Sequence, residues 1–182
     1  MDLRAAILGL LSWKPASGYD LKRIISDSEI FYWSGNNNQI YKSLLELQKE
    51  GLVTYQVQLQ ESLPAKKIYS ITEKGRSELQ QSLLADPQVP ELHKSFLIQL
   101  AWAESLSDEE ILTLLEKYAG EIDNRLRMLR EQATRPNRSP DRSKREIYLW
   151  QRIAENLIAA YQTELDWVQQ TQRDFREGKF SD

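Results

Sequence analysis

NNNQIYKSLLELQKEGLVTYQ, residues Asn36 to Gln56, joins three amides, a short amphipathic segment, a glycine and a run rich in strand formers. Ile40, Leu44 and Leu47 recur at helical spacing, with Tyr41 at the edge of their stripe. Gly51 stands where a helix that ends in a left-handed residue needs one. A single asparagine can cap the first N–H groups of a helix. Three of them followed by Gln39 offer amide groups to some further polar surface, although a solvated turn with one cap would have the same composition.

Working outward, Leu3, Ile7, Leu10 and Leu11 mark a first helix that Pro15 and Gly18 end. GYDLKRIISDS then places Leu21, Ile24 and Ile25 on one face of a second helix, starting at Ser17 or Gly18 and ending near Ser28. After the third helix, LVTYQVQL and KKIYSIT read as two strands of a hairpin around QESLPA, and Thr72 restarts a helix toward Leu84. Three short helices followed by a hairpin are the order of a winged helix-turn-helix, predicted over residues 1–85. Helix three, at about 12 residues or roughly 18 Å, fits a DNA major groove with its first side chains at base edges. Amides bond adenine at N6 and N7, which gives Asn36, Asn37, Asn38 and Gln39 a base-reading role. Lys22, Lys42, Lys66 and Lys67, with the hydroxyls of Tyr19 and Tyr41, are then candidates for phosphate contact. The competing assignments are a core position for Tyr41 and ordinary solvated lysines at the base of the hairpin.

Composition bounds the alternatives. The 182 residues hold no cysteine, which excludes a disulfide framework, a thiolate zinc site and a cysteine nucleophile. His93 is the one histidine and has no second metal ligand at helical spacing, so no metal or other cofactor is expected. No glycine-rich phosphate loop and no G-x-S-x-G turn is present, and the acidic clusters Asp108 to Glu110 and Glu46 with Glu50 read as solvated helix positions. The stretch from Ala5 to Leu11 follows an acidic Asp2 and runs into a patterned segment, unlike a signal peptide, and no run approaches a membrane span. A soluble, cytoplasmic protein is expected. The net charge is −3, but residues 1–85 carry ten basic against nine acidic side chains and residues 86–182 fourteen against eighteen. Any nucleic-acid face is therefore local and lies in the first half.

The motifs GYDLKRI, QIYKSLLELQKEGLV and KKIYSITEKGRSEL, in this order and spacing, resemble the PadR-like family of transcriptional regulators. Two departures are Lys42, where the family often has proline, and a wing with one basic pair beside Glu61. The resemblance implies a DNA-binding regulator, more often a repressor, acting as a homodimer on a roughly palindromic operator. It also implies dimerisation through a C-terminal helical domain helped by the first helix.

The second half fits that expectation. DPQVPELH marks a boundary, and residues 91–182 read as a helical domain with two long antiparallel helices. Leu92, Phe96, Leu97, Leu100 and Trp102 are expected to form an apolar helix, and SDEE from Ser107 caps a long one striped by Ile111, Leu115, Tyr118, Ile122, Leu126 and Leu129. Beyond the connector TRPNRSPDRS, a seven-residue repeat through Ile147, Trp150, Ala154, Leu157, Tyr161, Leu165 and Val168 is weak only at Glu164 and is the predicted dimer seam. Trp102, Trp150 and Trp167 line either that seam or a pocket for a flat aromatic effector, a small molecule whose identity the sequence leaves open. The rival class is a winged-helix protein-interaction module carrying a helical assembly scaffold.

Overall fold

The computed structural model describes residues 3–26, 38–59, 65–87, 89, 94–134 and 143–179, and the chain divides into two compact units, residues 1–90 and 91–182. In the first unit α1 (Leu3–Trp13), α2 (Gly18–Ser26) and α3 (Asn38–Lys49) precede the strands β2 (Val53–Gln58) and β3 (Lys66–Ile71) and helix α4 (Glu73–Leu83). The hairpin gains a third strand that sequence patterning does not signal: β1, only Ala16–Ser17, pairs antiparallel with β3 opposite Tyr69 and Ile68. The sheet order is β1-β3-β2. This is the winged helix-turn-helix expected.

Its core lies where the helical stripes converge. Ile7, Leu21, Leu44 and Leu47 have no exposed surface and gather with Leu52, Val53 and Tyr69. Each such side chain stabilises the unit by about 1.5–3 kcal/mol through burial. Helix α3 ends as its glycine predicts: Gly51 has φ +74°, its N–H bonds the Gln48 carbonyl at 3.0 Å, and Leu52 N–H bonds the Leu47 carbonyl at 2.9 Å. Thr72 then couples this exit to α4. Its N–H donates to the Leu52 carbonyl at 3.0 Å, and its hydroxyl donates to the Gly51 and Leu52 carbonyls while accepting Gly75 N–H at 3.0 Å.

The second unit holds α5 (Ser95–Ala101), a 3₁₀ turn at Ala103–Ser105, α6 (Asp108–Thr134) and α7 (Lys144–Arg176). Tyr118 bonds Glu164 and Arg130 bonds Gln162, so residue number rises along α6 as it falls along α7, and the pair is antiparallel. The α6 stripe is buried as read, with Tyr118 only partly so. The apolar segment before it differs from expectation. Helix α5 stops at Ala101, and only Phe96 of it is buried; Leu97 and Trp102 are exposed, and Leu92 lies outside the described residues. Seven residues make two turns, enough to present Phe96 and, partly buried, Leu100 to the core of the unit but not a full stripe. Phe96 stacks on Tyr118 with centroids 3.6 Å apart, and Trp167 meets it edge-on at 6.3 Å.

Candidate nucleic-acid interface

Helix α3 shows two faces. Ile40, Ser43, Leu44 and Leu47 are buried, whereas Gln39, Tyr41, Lys42, Leu45 and Lys49 are exposed. At 3.6 residues per turn these exposed positions form the outward side of the helix. Asn38 opens α3, its side chain outside the description, and Asn36 and Asn37 lie outside the described residues. Tyr41 is not a core residue: it is 45% exposed, and its ring edge packs on the backbone at Gly18, where a Cβ would come within 2.6 Å. Only glycine permits that approach, so the start of α2 and the first turn of α3 lie side by side. Tyr19, 62% exposed, extends the same end of the two helices. Leu45, 49% exposed one turn beyond Tyr41 and Lys42, was not singled out in the sequence because an apolar residue beside the buried stripe reads as core.

The start of α2 is capped by reciprocal bonds between Ser17 and Asp20. Ser17 Oγ accepts Asp20 N–H at 3.1 Å, and Asp20 Oδ2 accepts the Ser17 hydroxyl at 2.6 Å and its N–H at 3.3 Å. Lys66 Nζ reaches the same Oδ2 at 3.0 Å. These contacts, that of the Ser17 hydroxyl foremost, hold the Asp20 carboxyl below its ordinary range. Lys67 instead lies exposed with its ammonium 4.4 Å above the centre of the Tyr55 ring, which itself packs on Tyr69 at 5.7 Å. Lys22 is half-buried, and Lys42 stands 4.0 Å from Glu46. Glu50 is not simply a solvated helix residue: its carboxylate takes the Arg4 guanidinium, which lowers its pKa, while Lys74 bonds its carbonyl at 2.8 Å. That cluster joins α1, α3 and α4.

In the second unit the predicted seam divides. Leu165 and Val168 are buried in the unit's own core, and Tyr161 packs against that core, because α6 of the same chain covers this stretch of α7. Ile147, Trp150, Ala154 and Leu157 are half-buried, with Tyr148, Leu149 and Ile153 exposed among them. Glu164, the weak place in the repeat, accepts the Tyr118 hydroxyl at 2.7 Å and the Lys94 ammonium. The three tryptophans do not gather into one pocket. Trp150 and Trp167 are separated along α7 by about 25 Å, and Trp102 is 80% exposed. No helix among the described residues is long and apolar enough to cross a membrane.

Residues 7–81 match the model of the transcriptional regulator PadR-like family, and residues 93–176 match that of the virulence activator alpha C-terminal region. The two matches follow each other along the chain as its two units do. The first unit is thus similar to the PadR-like family of transcriptional regulators. It is 33% identical over 115 residues to the negative transcriptional regulator PadR of Bacillus subtilis, a match spanning 63% of this chain and 63% of that relative, less than two thirds of its length. The crystal structure of B. subtilis PadR in complex with operator DNA is similar with a TM-score of 0.78 and 25% identity, covering 95% of this chain and 98% of that one. The Vibrio cholerae virulence activator AphA shares the fold, with a TM-score of 0.69 at 23% identity over 97% and 99% of the two chains. The two likenesses cover the two units in turn, the winged helix by the PadR-like model and the helical region after it by the virulence activator alpha C-terminal model.

Proposed function

We propose that this chain is a cytoplasmic DNA-binding transcriptional repressor, not an enzyme, acting as a homodimer through its helical unit on a roughly palindromic operator. The observation that carries the reading is the outward side of α3. Gln39, Tyr41, Lys42 and Leu45 stand exposed on a helix whose opposite side is fixed by Leu44 and Leu47 with no exposed surface. A rigid helix presenting an amide, a hydroxyl, a cation and an apolar tip carries the groups that read base edges and meet phosphates. The operator complex of its PadR relative supports the same use of the fold.

In this reading Asn36, Asn37, Asn38 and Gln39 approach the bases, and Leu45 reaches a thymine methyl. Tyr19, Lys22, Tyr41, Lys42 and Lys67 hold the backbone. The half-buried stretch Ile147, Trp150, Ala154 and Leu157, with Tyr148, Leu149 and Ile153 beside it, meets a second copy. A twofold dimer then presents two α3 helices to half-sites about one DNA turn apart. A small molecule that shifts the helical unit would change their separation and release the operator.

The test is fluorescence anisotropy of the full chain on its own upstream DNA at two salt concentrations, with Gln39→Ala and Lys42→Ala beside the wild type. Binding should weaken steeply with salt, Gln39→Ala should flatten the preference for operator over random DNA, and Lys42→Ala should lower affinity for both alike. Weak association that ignores salt and both substitutions would refute the reading and favour a protein-docking module.

A further inference from the structure

Lys66 and Lys67 are neighbours on β3, and successive side chains of a strand point to opposite faces. They therefore cannot serve the same phosphate backbone in the same way. We propose that Lys66 is a positioning residue, locked to Asp20 so that the wing is set against α2, and that Lys67 alone of the pair meets DNA; this rests on the DNA-binding reading above.

The lock joins three elements at one oxygen. Asp20 Oδ2, in the first turn of α2, receives the Ser17 hydroxyl and N–H from β1 and the Lys66 ammonium from β3. Ser17 is buried and lies opposite Ile68, so the β1 side of the junction is anchored in the sheet. Lys66 pairs with Gln58 at the outermost rung of β2 and β3, where the wing leaves the sheet. Its side chain is 34% exposed and that of Asp20 31%, so each is shielded on one side and open on the other. Electrostatics gives the pair a further consequence. An uncompensated carboxylate beside Tyr19 would repel phosphate, and Lys66 cancels it. The pair is then neutral and releases no counterion on binding. Lys67 differs, because a tyrosine ring attracts a cation without neutralising it, and Lys67 has no acidic partner among the described residues.

Salt-dependent operator binding by Asp20→Asn, Lys66→Ala, Lys66→Arg, Lys67→Ala and the Asp20→Asn/Lys66→Ala double variant separates the roles. Lys67→Ala should reduce the slope of log affinity against log salt by about 0.9, the loss of one phosphate contact. Asp20→Asn and Lys66→Ala should each weaken binding by up to about fivefold, the scale of an exposed ion pair. The double variant should be no worse than the worse single, and Lys66→Arg should restore affinity. If Lys66 gripped phosphate instead, Asp20→Asn would tighten binding by freeing a cation, Lys66→Ala would lose the slope, and the proposal would be overturned. The carboxyl ¹³C titration of Asp20 reads the lock without DNA: its midpoint should rise in Lys66→Ala, and an unmoved midpoint overturns the lock. Should the wild type ignore operator DNA while that midpoint still responds to Lys66, the DNA-binding reading fails together with the roles given to both lysines, and the contact itself stands.

Discussion

Gly75→Ala tests the joint that fixes the wing and α4 to the exit of α3. A Cβ at Gly75 would lie 2.1 Å from the Leu52 carbonyl oxygen and 2.8 Å from Ile71 Cγ1. Carbon and carbonyl oxygen settle at about 3.3 Å, so the first turn of α4 or the Leu52 peptide must move by roughly 1 Å. Leu52 cannot yield easily: its side chain is 2% exposed, its N–H bonds Leu47, and its carbonyl takes both the N–H and the hydroxyl of Thr72. Moving α4 instead breaks the Thr72 cap on Gly75, at about 1 kcal/mol, and overpacking adds about 1–3 kcal/mol. A loss of about 3 kcal/mol is expected, a large share of the ~5–15 kcal/mol of a typical domain. Urea denaturation of the full chain followed by circular dichroism measures it, with Gly9→Ala as the reference. Gly9 sits inside α1 with nothing near its Cβ position, so alanine there should stabilise by up to about 1 kcal/mol. If Gly75→Ala is as stable as the wild type within about 0.5 kcal/mol, the close packing of α4 on Leu52 is wrong.

Glu164→Ala leaves the Lys94 ammonium and the Tyr118 hydroxyl without their acceptor and should cost about 2 kcal/mol by the same urea measurement; Glu164→Gln, which keeps an oxygen, should cost less. Burial first, and then the hydrogen bond to Glu164, raise the Tyr118 phenol above its ordinary 10.0. The folded chain thus keeps a proton that the unfolded chain releases: the contribution is complete below pH 10 and is lost as the pH rises beyond it. The urea midpoint of Tyr118→Phe should accordingly fall less than that of the wild type above that pH. Leu45→Ala should leave stability within about 0.5 kcal/mol and remove the sensitivity of operator affinity to replacement of thymine by uracil; retained sensitivity would take Leu45 out of base reading.

The parts of the fold that are legible in sequence are those where one residue type answers one local need. Ile40, Leu44 and Leu47 are spaced for a helix and are buried, Gly51 adopts the positive φ that ends it, and Thr72 caps the next. Strand β1 escapes because two residues cannot show an alternation and Pro15 reads as punctuation. Glu164 looks like a fault in a repeat because its partners, Lys94 and Tyr118, lie 70 and 46 residues away. At the candidate site the exposure of Gln39, Tyr41 and Lys42 follows from the phase of the helix, while Leu45 hides behind its own hydrophobicity. The separation of Lys66 from Lys67 was available from strand alternation, but the partner of Lys66 was not, since Asp20 reads locally as a residue of the first turn of α2.

The charges of the first unit explain why pairing of two chains belongs to the proposed mechanism. Arg4 is held by Glu50, Lys66 by Asp20 and Arg76 by Glu73 at 3.8 Å, while Lys74 bonds a carbonyl and Lys42 stands near Glu46. One head therefore brings fewer uncompensated cations than its ten basic side chains suggest, and with each phosphate contact adding about 0.9 to the salt slope, its gain from the DNA backbone is reduced. In the proposed reading, amides and hydroxyls on α3 supply direction more than strength. Two heads held at a fixed separation change this, because once the first has bound, the second binds at a local concentration set by the dimer and not by the solution. In the proposed mechanism strength then comes from geometry, and a modest displacement in the helical unit would lose it.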